Sequence, residues 1–215
     1  MTIDLTQREF WDRAAGSKTF THPLDMALLA RYLAADAVLL DYGCGQGRLC
    51  AQLASSGYAN LSGVDFSPAM VAKARLSVPG IAFEVLDEKG LSNPAESVDG
   101  ILLFAVLTCI PDDTAQLDVI AQLERVLKPG GILYLSDYLL QTDARNIARY
   151  ARNASGRRTY GTFVTDDGAV VRHHSLAWIT ELLAGFEQLE SQQVEITTMN
   201  GHRSSCFQCV LRKRA

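Results

Sequence analysis

From residue 37 to residue 140 the chain alternates short apolar runs with amphipathic stretches. "AVLLDYG" (37–43) is an apolar run halted by glycine, the pattern of a strand covered on both faces. "GRLCAQLASSGY" (47–58) places its apolar residues at helical spacing and ends near Gly57, a fitting C-cap. "NLSGVDFS" (60–67) reads as a second strand, and "SPAMVAKARL" opens a helix with Ser67 at the N-cap and Pro68 at the first helical position. "IAFEVLD" (81–87) and "VDGILLFAVLT" (98–108) supply a third and a fourth strand. "DDTAQLDVIAQLERVLK" (112–128) is an amphipathic helix expected to stop at Pro129-Gly130-Gly131, before a fifth strand in "GILYLSDYLL" (131–140). This rhythm predicts a parallel sheet with helices on both faces.

After residue 140 the rhythm changes. Residues 141–175 carry Arg145, Arg149, Arg152, Arg157, Arg158 and Arg172, then His173 and His174. A helix is expected over 176–186, then two closing strands, "EQLESQQVEI" and "SCFQCVLRK". The turn between them, "TMNGHRS", holds Asn200-Gly201, a hairpin signal. The last stretch therefore reads as an antiparallel finish to a parallel sheet.

Composition narrows the function classes. A chain of 215 residues that is 48% hydrophobic suits one domain, 1–215, with a sizeable core. A formal net charge of −4 gives no general polyanion-binding signature. No apolar run reaches the length of a membrane span, and the polar start "MTIDLTQREFWDRAAG" is no signal peptide, so a cytoplasmic location is expected. The five cysteines are scattered, which argues against a disulfide framework. Cys206 and Cys209 form a lone CxxC, but in a strand residues three apart face opposite ways, so no metal site is expected.

The chemistry gathers in "LLDYGCGQGRL" (39–49), where Asp41 precedes Gly43, Gly45 and Gly47. The dinucleotide fingerprint wants G-x-G-x-x-G and a Walker loop wants Gly-Lys-Ser or Gly-Lys-Thr; this loop is neither. Its spacing resembles the first motif of the class I S-adenosylmethionine (SAM) dependent methyltransferases. The other landmarks follow in order: "SGVDFSPAM", "FEVLDEKGL", "VDGILLFAVL" and "RVLKPGGILYLSDY". The resemblance implies a Rossmann-like α/β fold, with a seven-stranded mostly parallel sheet, an antiparallel last strand and helices on both faces. It also implies SAM as cofactor. Asp65 would hold the ribose hydroxyls, and Asp87, with Glu88 beside it, would approach the adenine amine. Phe66 and Met70 would cover the flat base, and Asp41, Gly43, Cys44, Gly45, Gly47 and Phe104 would complete the cofactor set. Cys44 reads as a pocket wall, since nothing in the sequence activates it as a nucleophile.

Methyl transfer needs a general base only when the accepting atom arrives protonated. Asp137 and Tyr138 follow the fifth strand, and His173 and His174 precede the late helix; these four are the catalytic candidates. Alternation along "VVRHHS" lets only one of the two histidines face a pocket. His22, Arg172 and Tyr138 are the substrate candidates, with His22 in an N-terminal segment placed to close over the cofactor. The C-terminal third is similar to the 3-methylcytidine tRNA methyltransferases, although the chain lacks their long basic extension. Three functions stay open: methyl transfer to a small molecule, methylation of a tRNA base, and a SAM-binding protein that acts through partners without catalysis. In each, the insert at 141–175 is expected to act as a lid or substrate cap.

Overall fold

In the computed structural model, residues 5–153 and 159–214 are described. Arg157 and Arg158 lie outside the described residues. Helices α1 (Leu5–Ala14) and α2 (Met26–Ala30) precede β1 (Leu39–Tyr42), α3 (Arg48–Ser55), β2 (Leu61–Asp65), α4 (Pro68–Ser77) and β3 (Ala82–Val85). Next come β4 (Val98–Phe104), a 3-10 turn (Leu107–Cys109), α5 (Asp113–Val126), β5 (Leu127–Tyr138) and α6 (Ala144–Asn153). A short hairpin of β6 (Thr162–Val164) and β7 (Val170–Arg172) leads to α7 (Leu176–Leu182), β8 (Phe186–Thr197) and β9 (Arg203–Lys213).

The main sheet has seven strands in the order β3-β2-β1-β4-β5-β9-β8. Strands β1 to β5 run parallel, and β9 is antiparallel to both of its neighbours. The doubly covered sheet expected from the apolar runs is thus present, with the last strand inserted between β5 and β8. Alternation along β1 shows why its run is continuous. Leu40 joins Leu103, Leu123 and Leu133 in a core beneath α5 and α7, whereas Leu39 joins Leu29, Leu53 and Tyr134 beneath α2 and α3. Each such fully buried aliphatic side chain contributes on the order of 1.5–3 kcal/mol.

Local signals set the boundaries that matter for the site. Ser67 accepts the Met70 amide at 3.2 Å and Pro68 opens α4, as the sequence predicts. Helix α5 stops at Val126, before the Pro-Gly-Gly expected to end it. The buried Leu127 already pairs with Val98, and the ladder resumes at Gly100 and Ile132. Lys128–Gly131 are therefore an outward excursion of β5, turned by Gly130 at φ +75°. Cys206 packs with Tyr138 and Ile196 while Cys209 enters the main core, the opposite faces that strand alternation requires. Among the described residues no helix is long and apolar enough to cross a membrane.

Candidate active site

Between β1 and β4 the strand order reverses, and open parallel sheets bind their ligands beyond the strand ends at such a point. A cavity of about 450 Å³ lies there. Its floor is the turn after β1. Gly43, Gly45 and Gly47 have φ of +75°, +52° and +80°, a region that side chains other than glycine rarely occupy. A Cβ on Gly43 would stand 2.4 Å from Val106 Cγ2, and one on Gly45 would stand 3.1 Å from the Phe20 ring. Gly47 serves the fold instead: it starts α3 and packs against Phe83, Val78 and Ala74, outside the cavity wall.

Asp65 ends β2 at the cavity floor, where its Oδ2 accepts the Gly45 amide and its Oδ1 the Ser67 amide, both at 2.9 Å. Burial raises its pKa to about 6, against the pull of those two N–H groups. Asp41 is also buried, accepts the Cys50 thiol at 3.6 Å and is raised by burial to about 7. Cys44 lines the wall, and burial next to Asp41 and Asp65 keeps its thiol protonated well above the usual range. Phe66, Met70 and Phe104 line the same space.

The far end of the cavity is built from rings. Tyr138, at the end of β5, has the His22 ring edge-on at 4.7 Å and the His173 ring stacked at 5.2 Å. His173 Nδ1 lies 2.6 Å from the Tyr150 hydroxyl, which also accepts the Gln141 amide at 3.1 Å. His22 Nε2 is buried with no hydrogen-bond partner among the described residues. Burial lowers both histidines, His22 to about 4 with help from Arg48, and His173 to about 3 with help from His174 and Arg149. Both are therefore neutral at pH 7. Arg145 and Arg149 of α6 reach the cavity, with the Arg149 guanidinium 4.2 Å above the Phe163 ring. Arg152, on the same helix, is exposed and does not line it.

The remaining candidates lie elsewhere. Of the adjacent histidines only His173 lines the cavity; His174 is fully buried behind it, with Nε2 2.9 Å from Gln116 Nε2 and Nδ1 3.3 Å from the Tyr138 carbonyl. Asp137 points inward as well. Its carboxylate accepts the Thr108 amide at 3.1 Å and its own neighbour's, Tyr138, at 2.7 Å, so it anchors the turn after β4. Burial pushes Asp137 up to about 7. Arg172 turns away from the cavity to pair with Asp113, bond the Pro111 carbonyl at 3.1 Å and lie over Trp178. Asp87 and Glu88 are exposed beyond β3, outside the cavity lining; the Asp87 carboxylate is occupied by the Lys89 amide at 2.8 Å, and Leu86 takes the wall position.

Several lining residues carry no motif. Trp11, Phe20 and Thr21 come from the N-terminal segment, and Val106 and Cys109 from the turn after β4. The N-terminal segment forms a roof with Met70, Ala169 and Met199, and Lys18 holds it down by pairing with Asp167 and donating to Asn200 Oδ1 at 2.8 Å. Arg48, the first residue of α3, bonds the His22 carbonyl and so joins the glycine turn to this roof. The aromatic spacing in "FWDRAAGSKTF" was the available signal for the roof.

Comparison with known proteins identifies the family. Residues 20–191 match the family described as "Methyltransferase domain". A trans-aconitate 2-methyltransferase of Methylobacterium nodulans is 40% identical over 129 residues, 58% of this chain and 48% of that one. A ubiquinone biosynthesis O-methyltransferase of Xanthomonas oryzae pv. oryzae is 35% identical over 136 residues, 59% of this chain and 55% of that one. The chain thus spans about half the length of the curated relatives it matches. The crystal structure of a SAM-dependent methyltransferase from Methanosarcina mazei superposes with a TM-score of 0.83 at 27% identity, covering 89% of this chain and 99% of that one. Fold, glycine turn and family match converge: the chain belongs to the methyltransferase domain family, with the class I architecture whose methyl donor is S-adenosylmethionine.

Proposed function

We propose that the protein is an enzyme that transfers the methyl group of SAM to a small-molecule acceptor. The observation behind this reading is one roofed cavity with two chemically different ends. At one end stand the positive-φ glycines, Asp41 and Asp65; at the other stand Tyr138, His22, His173 and the α6 arginines. About 450 Å³ falls within the usual range for small-ligand sites, roughly 300–1,000 Å³.

The residues present fit the donor. Asp65 keeps lone pairs beyond the two amides it accepts, enough for a pair of vicinal hydroxyls. Gly43 and Gly45 let the backbone approach a ligand closely, Cys44 and Val106 give apolar walls, and Phe66 and Met70 suit a flat ring. Bound there, the sulfonium supplies an activated methyl. The protein's task is then alignment and exclusion of water, worth up to roughly 7–11 kcal/mol in favourable cases. The roof of the N-terminal segment and the β6–β7 hairpin serves that exclusion, which extends the lid role from the 141–175 insert to α1.

Two named relatives act, by their names, on trans-aconitate and in ubiquinone biosynthesis, which favours a metabolite over a nucleic acid. Calorimetry with SAM and with its demethylated product is the first test, and absence of binding to either overturns the proposal. Radiolabelled transfer to a metabolite panel, run beside bulk tRNA, is the second. Product with the panel supports it, and product with tRNA alone assigns the enzyme to RNA.

A further inference from the structure

Among the described residues, the acceptor end of the cavity presents hydrogen-bond donors and lacks a placed proton acceptor. His173 carries the argument. The Tyr150 oxygen already accepts the Gln141 N–H, and its own proton has one partner among the described residues, His173 Nδ1 at 2.6 Å. Tyr150 therefore donates, Nδ1 accepts, and the neutral imidazole must carry its hydrogen on Nε2. In that tautomer His173 offers the cavity an N–H and has no free lone pair with which to take a proton. Tyr138, stacked on it, is a phenol held protonated by burial beside Cys206 and Asp137, and so is a second donor. Arg145 and Arg149 add guanidinium donors from α6, a geometry matched to carboxylates.

The acidic groups do not reverse this picture. Asp137 lies in the protein interior, and Asp41 and Asp65 sit at the cofactor end. Asp112 accepts the Ala115 amide at 2.9 Å as the N-cap of α5, and Asp166 is an exposed rim residue facing Arg149. His22 Nε2 is buried with no partner among the described residues, and burial beside Arg48 makes its charged form costly. A side chain so disfavoured as a cation is a poor base at neutral pH.

We propose that the methyl-accepting atom is an oxygen of an ionised carboxylate, held by donors from His173, Tyr138, Arg145 and Arg149, with Tyr150 as the positioning residue that fixes the His173 tautomer. This rests on the methyl-transfer reading above and names its acceptor class. The carboxylate oxygen uses a lone pair to form the O–CH3 bond. The S–CH3 bond breaks and its electron pair stays on sulfur. The sulfonium's positive charge and the carboxylate's negative charge cancel together, and no proton moves, so the donor-rich pocket suffices.

The test has three arms on the full chain. In the first, methyl-labelled SAM is offered with trans-aconitate, citrate or benzoate, and separately with catechol or benzylamine. A methyl ester releases labelled methanol in mild alkali, whereas ethers and methylamines do not. Alkali-labile product from a carboxylate is expected. Alkali-stable product from catechol or benzylamine, or SAM binding with no ester from any carboxylate, overturns the inference while leaving the cofactor reading intact; loss of SAM binding overturns both. In the second arm, calorimetry on the complex with demethylated cofactor measures binding of the carboxylate that turns over. Arg149→Gln is expected to weaken it at least tenfold, and an unchanged Kd argues against the anion site. In the third, nitrogen-15 NMR of labelled imidazoles is expected to show His173 protonated on Nε2. Tyr150→Phe should lose that preference and raise KM more than it lowers kcat, and a His173 protonated on Nδ1 in the unaltered protein refutes the lock.

Discussion

Asp65 reaches from the end of β2 to the Gly45 amide, 2.9 Å away, so one carboxylate both shapes the glycine turn and faces the cavity. Its replacement therefore has two consequences that can be separated. Asp65→Asn keeps the side-chain shape and loses the anionic acceptor. SAM affinity is expected to fall by about 10–100-fold, the scale of one or two charge-assisted hydrogen bonds. Calorimetry measures the loss, and circular dichroism checks that the fold survives. The same group sets a pH dependence: with its pKa near 6 in the unliganded protein, SAM affinity should be level above pH 7 and weaken below about pH 6 as the carboxylate protonates.

Gly43 faces Val106 so closely that an added methyl group has no room. Gly43→Ala combines this 2.4 Å clash with a strained φ of +75°. A cost of about 1–3 kcal/mol is expected from the backbone strain alone. Adding Val106→Ala should recover the steric part and leave the strain. Thermal unfolding of the two single variants and the double variant checks this, and additive losses would show that Val106 is not the obstacle.

The roof rests on a latch. Lys18 pairs with Asp167 and bonds Asn200, joining the N-terminal segment to the turns of two separate hairpins. These groups are partly exposed, so the latch is worth no more than about 1 kcal/mol. Lys18→Met is expected to speed release of the demethylated cofactor by up to about fivefold with little change in melting temperature. Stopped-flow displacement measures the rate, and an unchanged rate would place the exit path elsewhere.

Acid should act on the fold through two opposed groups of side chains. His22, His173 and His174 are lowered by burial to about 4, 3 and 3, so the unfolded chain binds their protons first. Their contribution to stability is whole above about pH 6.5 and is lost as pH falls toward 3. Asp41, Asp65 and Asp137 are raised to about 7, 6 and 7, so they favour the folded state at low pH and lose that contribution as pH rises through 6 to 7. For one buried histidine the loss by pH 5 is about 2 kcal/mol. His174→Gln, outside the cavity lining, should therefore raise the Tm at pH 5 relative to that at pH 7, compared with the unaltered protein. An unchanged difference would mean that His174 titrates in the folded protein.

The sheet and the glycine-turn end of the cavity were legible because their signals are local. A glycine spacing, the Ser67-Pro68 helix start and the acid at the end of β2 each lie within a few residues of what they build. The acceptor end depends on which side of a strand faces inward, and periodicity leaves that open. "VVRHHS" shows that its neighbours diverge; it does not show that Arg172 and His174 turn to the protein while His173 turns to the cavity. Asp87 shows a second limit: β3 ends at Val85 and the chain folds back at Gly90, so an acid in the right sequence position lies exposed past the edge. The roof is harder still, since Trp11 and Phe20 gain their roles only through contacts with segments far away in the chain.

The placement of β9 has a consequence for how the molecule is made. Because this strand is wedged between β5 and β8, two of the longest pairings in the sheet wait for residues 203–213. Until those residues leave the ribosome, β5 presents an open hydrogen-bonding edge and β8 has no strand to pair with. Such long-range closure is slow, and exposed strand edges favour aggregation. The nascent chain thus spends its most adhesive interval while residues 203–213 are still to emerge, when a holdase chaperone would matter most.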